Sequence, residues 1–275
     1  MDNDDALVGR ILNRREILTL LGGAGALFAV GCSDKASPAP ATAETAATTG
    51  AATGSTTTSA AATATATGTA VAAATTTPQC IVSPELTEGP YFVDEKLNRS
   101  DIRTDPSDGA VSAGALLKLT LNVFAAGANG CTPLPKATVD VWHCDAFGVY
   151  SDATDRSFNT TGKMFLRGYQ DTDANGQAVF TTIYPGWYQG RAVHIHFKVR
   201  GATPAGGSFE FTSQFFFDEA FTDNVYLAQP YAAKGKRTVL NSADSIYRQS
   251  SGQTQLIVTK SGSGYESTFD IGIRL

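Results

Sequence analysis

Residues 79–275 are expected to fold as an all-β domain, a β-sandwich of antiparallel strands with long active-site loops. Three observations predict it. Apolar and polar residues alternate with period two in run after run, helical periodicity is almost absent, and turn residues punctuate the runs. Roughly seven short strands of this kind favour two packed sheets over a single open one.

Within residues 116–125, Leu117, Leu119, Leu121 and Val123 share one face. A strand over 137–144 follows. In 193–199 the residues Val193, Ile195, Phe197 and Val199 line one side, which leaves His194 and His196 together on the other. Phe209, Phe211, Phe215 and Phe217 alternate with Glu210, Thr212 and Gln214. Tyr265, Phe269, Ile271, Ile273 and Leu275 alternate with Glu266, Asp270 and Arg274 in the last segment. Ala174-Asn175-Gly176 and Pro185-Gly186 read as turns, and 222–233 reads as a short helix.

The first 78 residues read differently. In residues 1–31, Arg14-Arg15 precedes a short, Gly-rich apolar stretch from Ile17 to Val30, a pattern that resembles a twin-arginine export signal. Ala29-Val30-Gly31-Cys32 resembles a lipoprotein cleavage box, with Cys32 as the lipidated residue. Residues 32–78 read as a disordered Ala/Thr-rich tether. No aromatic residue occurs between Phe28 and Tyr91, and such a composition buries too little apolar surface to offset its ordering entropy. The expected product is exported to the cell envelope, lipid-anchored or secreted, and meets a membrane only through the lipid.

Charged residues make up 17% of the chain and the net charge is −5, which excludes a basic nucleic-acid binder and a coiled coil. With Cys32 assigned to lipid, Cys80, Cys131 and Cys144 remain. Export permits a disulfide. The strand 137–144 leads away from Cys131, so Cys80–Cys131 is the expected pair over Cys131–Cys144.

The chemistry concentrates in Tyr184-Pro-Gly-Trp187-Tyr188-Gln-Gly-Arg191-Ala-Val-His194-Ile-His196. Two imidazoles on one face of an apolar strand suit a metal site; the plain alternative is a pair of solvent-facing histidines. No Asp or Glu lies in the run, but Tyr residues do. Phenolate is a hard donor that suits Fe(III) better than zinc or cuprous copper, and a bound cation would deprotonate it. Two His with Tyr from nearby loops make a coherent ferric site. Tyr150 follows Gly148 at a strand end, where a site is favoured over an ordinary loop aromatic. Tyr184 competes with Tyr188 but precedes a proline and suits packing. His143 shares its face with Val139 and Val141 and suits a structural role. Arg191 has the alternative of pairing with a surface acid such as Asp171.

The segment Val139-Asp-Val-Trp142-His-Cys-Asp-Ala-Phe-Gly-Val-Tyr150, followed by Pro185-Gly-Trp-Tyr188 and Arg191-Ala-Val-His194-Ile-His196, resembles the intradiol ring-cleavage dioxygenases. The layout is closest to the protocatechuate 3,4-dioxygenase branch, without the helical N-terminal domain of the catechol 1,2-dioxygenases. Thr87-Glu-Gly-Pro90-Tyr91 resembles the family's N-terminal arm, and Gln214-Phe-Phe-Phe-Asp218 the strand after the histidines. The resemblance implies a non-haem Fe(III) bound by Tyr150 and His194 equatorially and by Tyr188 and His196 axially. It implies Arg191 beside the metal as a stabiliser of negative charge on the substrate, Tyr188 as a base, and Gln214 near the oxygen pocket. Trp142, Trp187, Pro90 and Tyr91 would line the substrate site. The partners implied are a small aromatic diol and O2, and the family often pairs subunits as homodimers. The expected reaction cleaves a catechol-type ring to a cis,cis-muconate-type product. Two competitors have other requirements: an exported, non-catalytic β-sandwich that binds carbohydrate or cell wall, and a copper or zinc protein using His143, His194 and His196.

Overall fold

A computed structural model describes residues 81–275, apart from Asn129 and Pro204. The leader, the tether, Cys32 and Cys80 lie outside the described residues. No helix among the described residues is long and apolar enough to cross a membrane.

Among the described residues, nine strands form two sheets. β1 (Leu116–Gly127), β2 (Gly130–Pro133), β5 (Gln177–Ile183), β8 (Thr259–Ser261) and β9 (Gly264–Ile273) make one; β3 (Thr138–Trp142), β4 (Arg167–Asp171), β6 (His194–Ala202) and β7 (Ser208–Phe216) make the other. The first sheet runs β2-β1-β9-β8, and β5 pairs with the first half of β1 on the edge that β2 uses further along. The second runs β4-β3-β6-β7. Pairing is antiparallel with one exception to the expectation: β1 and β9 run parallel, from Leu117 opposite Tyr265 to Ala125 opposite Ile273. Period-two patterning fixes which face is buried and is blind to strand direction, so the sequence could not reveal this.

The alternating residues do what their pattern predicts. Leu117, Leu119, Leu121 and Val123 are wholly buried in the main core with Val139, Val141, Ile195, Phe197 and Val199. Phe197 stacks on Phe215, ring centroids 4.1 Å apart. On the other face of the second sheet, register places Trp142, His196 and Gln214 in one cross-strand row. That face is buried too, because the N-terminal arm lies over it. Leu86 N–H donates to the Thr212 carbonyl, Phe92 packs on Trp142, and Lys198 Nζ sits 4.1 Å from the centroid of Phe92. β6 is therefore buried on both faces through Val199.

The helix expected over 222–233 is broken into two: α1 (Glu219–Val225), capped by Asp218, and α2 (Tyr231–Lys234). A third, α3 (Ser245–Ser250), is capped by Asp244. Asp218 and Asp244 accept backbone N–H groups that the first turns of α1 and α3 leave without partners; α2 starts at Pro230 with no side-chain cap. Cys131 is disulfide-bonded and Cys144 is free and buried, which rules out the pair Cys131–Cys144.

Candidate active site

Two loops and one strand end build the site. The connection from β3 to β4 carries Tyr150, the connection from β5 to β6 carries Tyr188 and Arg191, and β6 opens with His194 and His196. Pro185-Gly186 is not a hairpin turn; it lies where the chain crosses from one sheet to the other. The two Tyr-bearing loops pack backbone against backbone. A Cβ on Gly148 (φ +79°) would overlap the Trp187 carbonyl, and one on Gly186 would overlap the Ala146 carbonyl. Gly186 N–H also donates to the Asp145 carbonyl at 3.0 Å. Glycine is thus needed at both positions, one for its left-handed backbone and both for close approach.

Four side-chain atoms converge. His194 Nε2 lies 3.0 Å from His196 Nε2, 3.3 Å from Tyr150 Oη and 3.3 Å from Tyr188 Oη; His196 Nε2 lies 3.1 Å from Tyr150 Oη. His194 Nδ1 donates to the Ala192 carbonyl at 2.7 Å, so its Nε2 carries a bare lone pair. One lone pair then faces three neighbours, one of them a second imidazole nitrogen at contact distance. Both histidines are held neutral. Burial pushes their pKa values well below the usual range; the charge of Arg191 adds to this for His194, and His194 and then Arg191 add to it for His196. Uncharged nitrogens crowded with phenol oxygens are what a cation would relieve. The orphaned Nδ1 of buried His196 shows that this ring is not placed for hydrogen bonding alone.

Tyr150 and Tyr188 differ in freedom. Tyr150 is buried, and Tyr91 stacks on it with centroids 4.3 Å apart. Thr160 Oγ1 donates to its carbonyl. Buried Arg167 grips the next residue through Ser151 Oγ (2.7 Å) and the Ser151 carbonyl, and reaches the Tyr91 carbonyl at 3.2 Å. Tyr188 is only half-buried. Arg191 is 1% exposed; its Nε donates to Asp244 Oδ2 at 2.8 Å and its Nη2 to Gln214 Oε1 at 2.6 Å. Asp171 is not the acid that holds it.

Other expected site residues fall elsewhere. Trp142 is 1% exposed and stacks behind His196 at 5.0 Å and 12°, so it backs the ring and offers no surface to a ligand. Trp187 turns away from the ring cluster around Tyr150: its Nε1 donates to the Gly235 carbonyl at 3.1 Å and Lys234 Nζ sits over its ring. Tyr91 joins the cluster through Tyr150 and donates to Asp155 Oδ2 at 2.9 Å; Pro90 is exposed on the arm. Gln214 is fully buried and serves Arg191. Tyr184 packs in the core and bonds Thr222, as its proline neighbour suggested. His143 has both nitrogens occupied, by the Cys144 carbonyl at 2.8 Å and Thr182 Oγ1 at 2.7 Å. With both its nitrogens engaged, His143 is not placed as the third ligand of a copper or zinc site, and among the described residues no group of three or more His, Cys, Asp or Glu is gathered to hold a metal. Asp244, Arg167 and Ser151 escaped the sequence reading. Asp244 alone left a trace, as an Asp followed by Ser-Ile-Tyr in helix-capping position.

A family model described as Dioxygenase matches residues 87–251. An intradiol ring-cleavage dioxygenase from Tetranychus urticae is 31% identical, covering 71% of this chain and 95% of its own, with a TM-score of 0.59. The dioxygenase domain of a dioxygenase carbohydrate-binding protein fusion from Streptomyces sp. SirexAA-E is 27% identical over 71% and 99%, with a TM-score of 0.49. The fold and the site define an enzyme rather than a binding module, and the chain belongs to the intradiol ring-cleavage dioxygenases.

Proposed function

We propose that the protein binds a non-haem ferric ion through Tyr150, Tyr188, His194 and His196 and cleaves a catechol with O2 to a cis,cis-muconate. The convergence of two phenol oxygens and two neutral imidazole nitrogens within 3.0–3.3 Å carries this reading. Two hard oxygen donors fit a highly charged ion. The ion, when bound, would be chelated by the catechol and would serve as the Lewis acid for its reaction with O2.

The protein's own residues divide the remaining work. Tyr150, locked between Tyr91 and the Arg167 clamp, keeps its place throughout. Tyr188, half-buried in the middle of the β5–β6 loop, is the group that can leave, and its Oη then takes a proton from a substrate hydroxyl. His194 is kept in one tautomer by the Ala192 carbonyl, and His196 is kept in plane by Trp142. Arg191, always charged and shielded from water, stabilises negative charge as it develops on the ring. The bond between the two oxygen-bearing carbons breaks, and both atoms of O2 end in the two carboxyl groups.

The same reading includes export through the twin-arginine-like leader, an anchor at Cys32 and a tether over 32–78 that holds the domain off the membrane. Globomycin-sensitive processing and labelling by a fatty-acid analogue test the anchor; loss of labelling in Cys32→Ser supports it, and an unlabelled parent protein contradicts it. An oxygen electrode with proton NMR of the product tests the reaction. Equal consumption of O2 and catechol with a cis,cis-muconate product supports it; a semialdehyde, or no uptake by iron-loaded protein, contradicts it.

A further inference from the structure

We propose that Asp244 is a positioning residue that aims the Arg191 guanidinium at the substrate, and so governs turnover without touching substrate or metal. The inference rests on the reading of Arg191 as the charge that meets the substrate. Asp244 and Arg191 form an ion pair with both side chains 1% exposed. Asp244 Oδ2 accepts Arg191 Nε at 2.8 Å and Ala192 N–H at 2.8 Å; Oδ1 accepts Ile246 N–H at 2.8 Å and Tyr247 N–H at 2.9 Å. These four donors match the roughly four lone-pair positions of a carboxylate.

The carboxylate is therefore fixed by the first turn of α3 before it fixes anything else. It then holds Arg191 twice over, by the side chain through Nε and by the backbone through the next peptide. Gln214 Oε1 takes Nη2 at 2.6 Å, while Gln214 Nε2 donates to the Thr87 carbonyl at 2.8 Å. A planar guanidinium held at two of its nitrogens from two directions has one orientation. The purpose of such restraint is geometric: the charge stays where the substrate's charge grows instead of turning toward another acceptor. Neither partner needs a substrate or a metal to adopt this arrangement.

The test uses the full chain carrying Asp244→Asn. Asn retains one oxygen for the cap of α3, but its amide presents hydrogens to the Arg191 and Ala192 donors. In metal-free protein, 15N NMR should find the Arg191 Nε–H slow to exchange in the parent and fast in D244N. In iron-loaded protein, kcat should fall about 100-fold, while iron content and anaerobic catechol affinity stay within 2-fold of the parent (on the order of RT). Asp244→Glu keeps the buried charge and displaces it by one methylene, so it should fold even where D244N does not and should also lower kcat. Asp218→Ala removes the cap of α1, whose hydrogen bond to Phe221 N–H is separate from the Asp244–Arg191–Gln214 bonds, and should lower Tm without changing kcat. An unchanged Nε–H exchange rate, a parent-like kcat in both Asp244 variants, or iron and catechol binding lost in step with kcat overturns the proposal. If Arg191→Met keeps full kcat, the reading of Arg191 itself fails; if Arg191→Met loses kcat while D244N keeps it, only the role of Asp244 fails.

Discussion

Two tyrosines with the same chemistry occupy unequal positions, and their variants should separate. Tyr150→Phe removes a buried donor that Tyr91 and Arg167 hold in place, so iron binding and any tyrosinate colour from that residue should be lost. Tyr188→Phe removes a half-buried donor, so iron should remain bound while kcat falls at least about 100-fold, the usual effect of losing a positioned base. Metal analysis with steady-state kinetics checks both; equal effects of the two substitutions on iron and kcat would contradict the division of roles. A third imidazole gives a pH prediction. Burial pushes His143 down to about 4 from its ordinary 6.5, because its ring is packed away from water, and the bond to the Cys144 carbonyl offsets only part of this. Below pH 6.5 the unfolded chain binds a proton that the folded chain refuses. Stability attributable to this group therefore falls as pH drops from 6.5 toward 4, by up to about 3 kcal/mol, and changes no further below that. Urea denaturation of metal-free parent and His143→Gln at pH 7 and pH 4.5 should show a smaller acid-induced loss in the variant; equal losses would contradict the assignment.

At the scale of elements, the site depends on two loops meeting through glycine. Gly186→Ala would drive a methyl group into the Ala146 carbonyl and push the Tyr188 loop off the Tyr150 loop. Iron affinity should fall by 10-fold or more, on the order of the 1.4 kcal/mol that a modest displacement implies, while the two sheets remain folded; circular dichroism and a competitive chelator titration check this. These contacts mark where the sequence stopped being readable. The strands were legible because Leu117 to Val123 and Ile195 to Val199 report their buried face every second residue. His194 and His196 were legible for the same reason, since residues two apart on a strand share a face. The parallel pairing of β1 with β9 was not, because alternation carries no direction. Trp187 was misplaced because nothing local distinguishes an indole facing the site from one facing Lys234. Asp244 shows its cap in sequence but not its partner 53 residues away, since the meeting of Arg191 with α3 is a property of tertiary packing. That Trp142 backs His196 and Gln214 holds Arg191 was not legible, because both contacts follow from how the strands register and pack.

At the scale of the whole molecule, the arm from Pro84 onward closes the outer face of the β3–β6–β7 sheet, so that a polar row on a strand becomes a buried site. A metal that binds the folded chain and not the unfolded one stabilises it by mass action. Removing iron by reduction and chelation should therefore lower Tm by roughly 5–10 °C at a metal concentration about 100 times Kd. Differential scanning calorimetry checks this, and an unchanged Tm would mean that the four donor atoms do not take up the metal. Whether the four donors hold a ferric ion that takes up substrate is read from the visible absorption spectrum of the purified, iron-loaded protein, recorded without oxygen before and after adding a catechol. A broad tyrosinate-to-Fe(III) charge-transfer band that shifts on catechol addition is the predicted result, because it reports phenolate ligation and substrate chelation in one experiment. A protein that stays colourless after iron loading would contradict the ferric site built from Tyr150, Tyr188, His194 and His196.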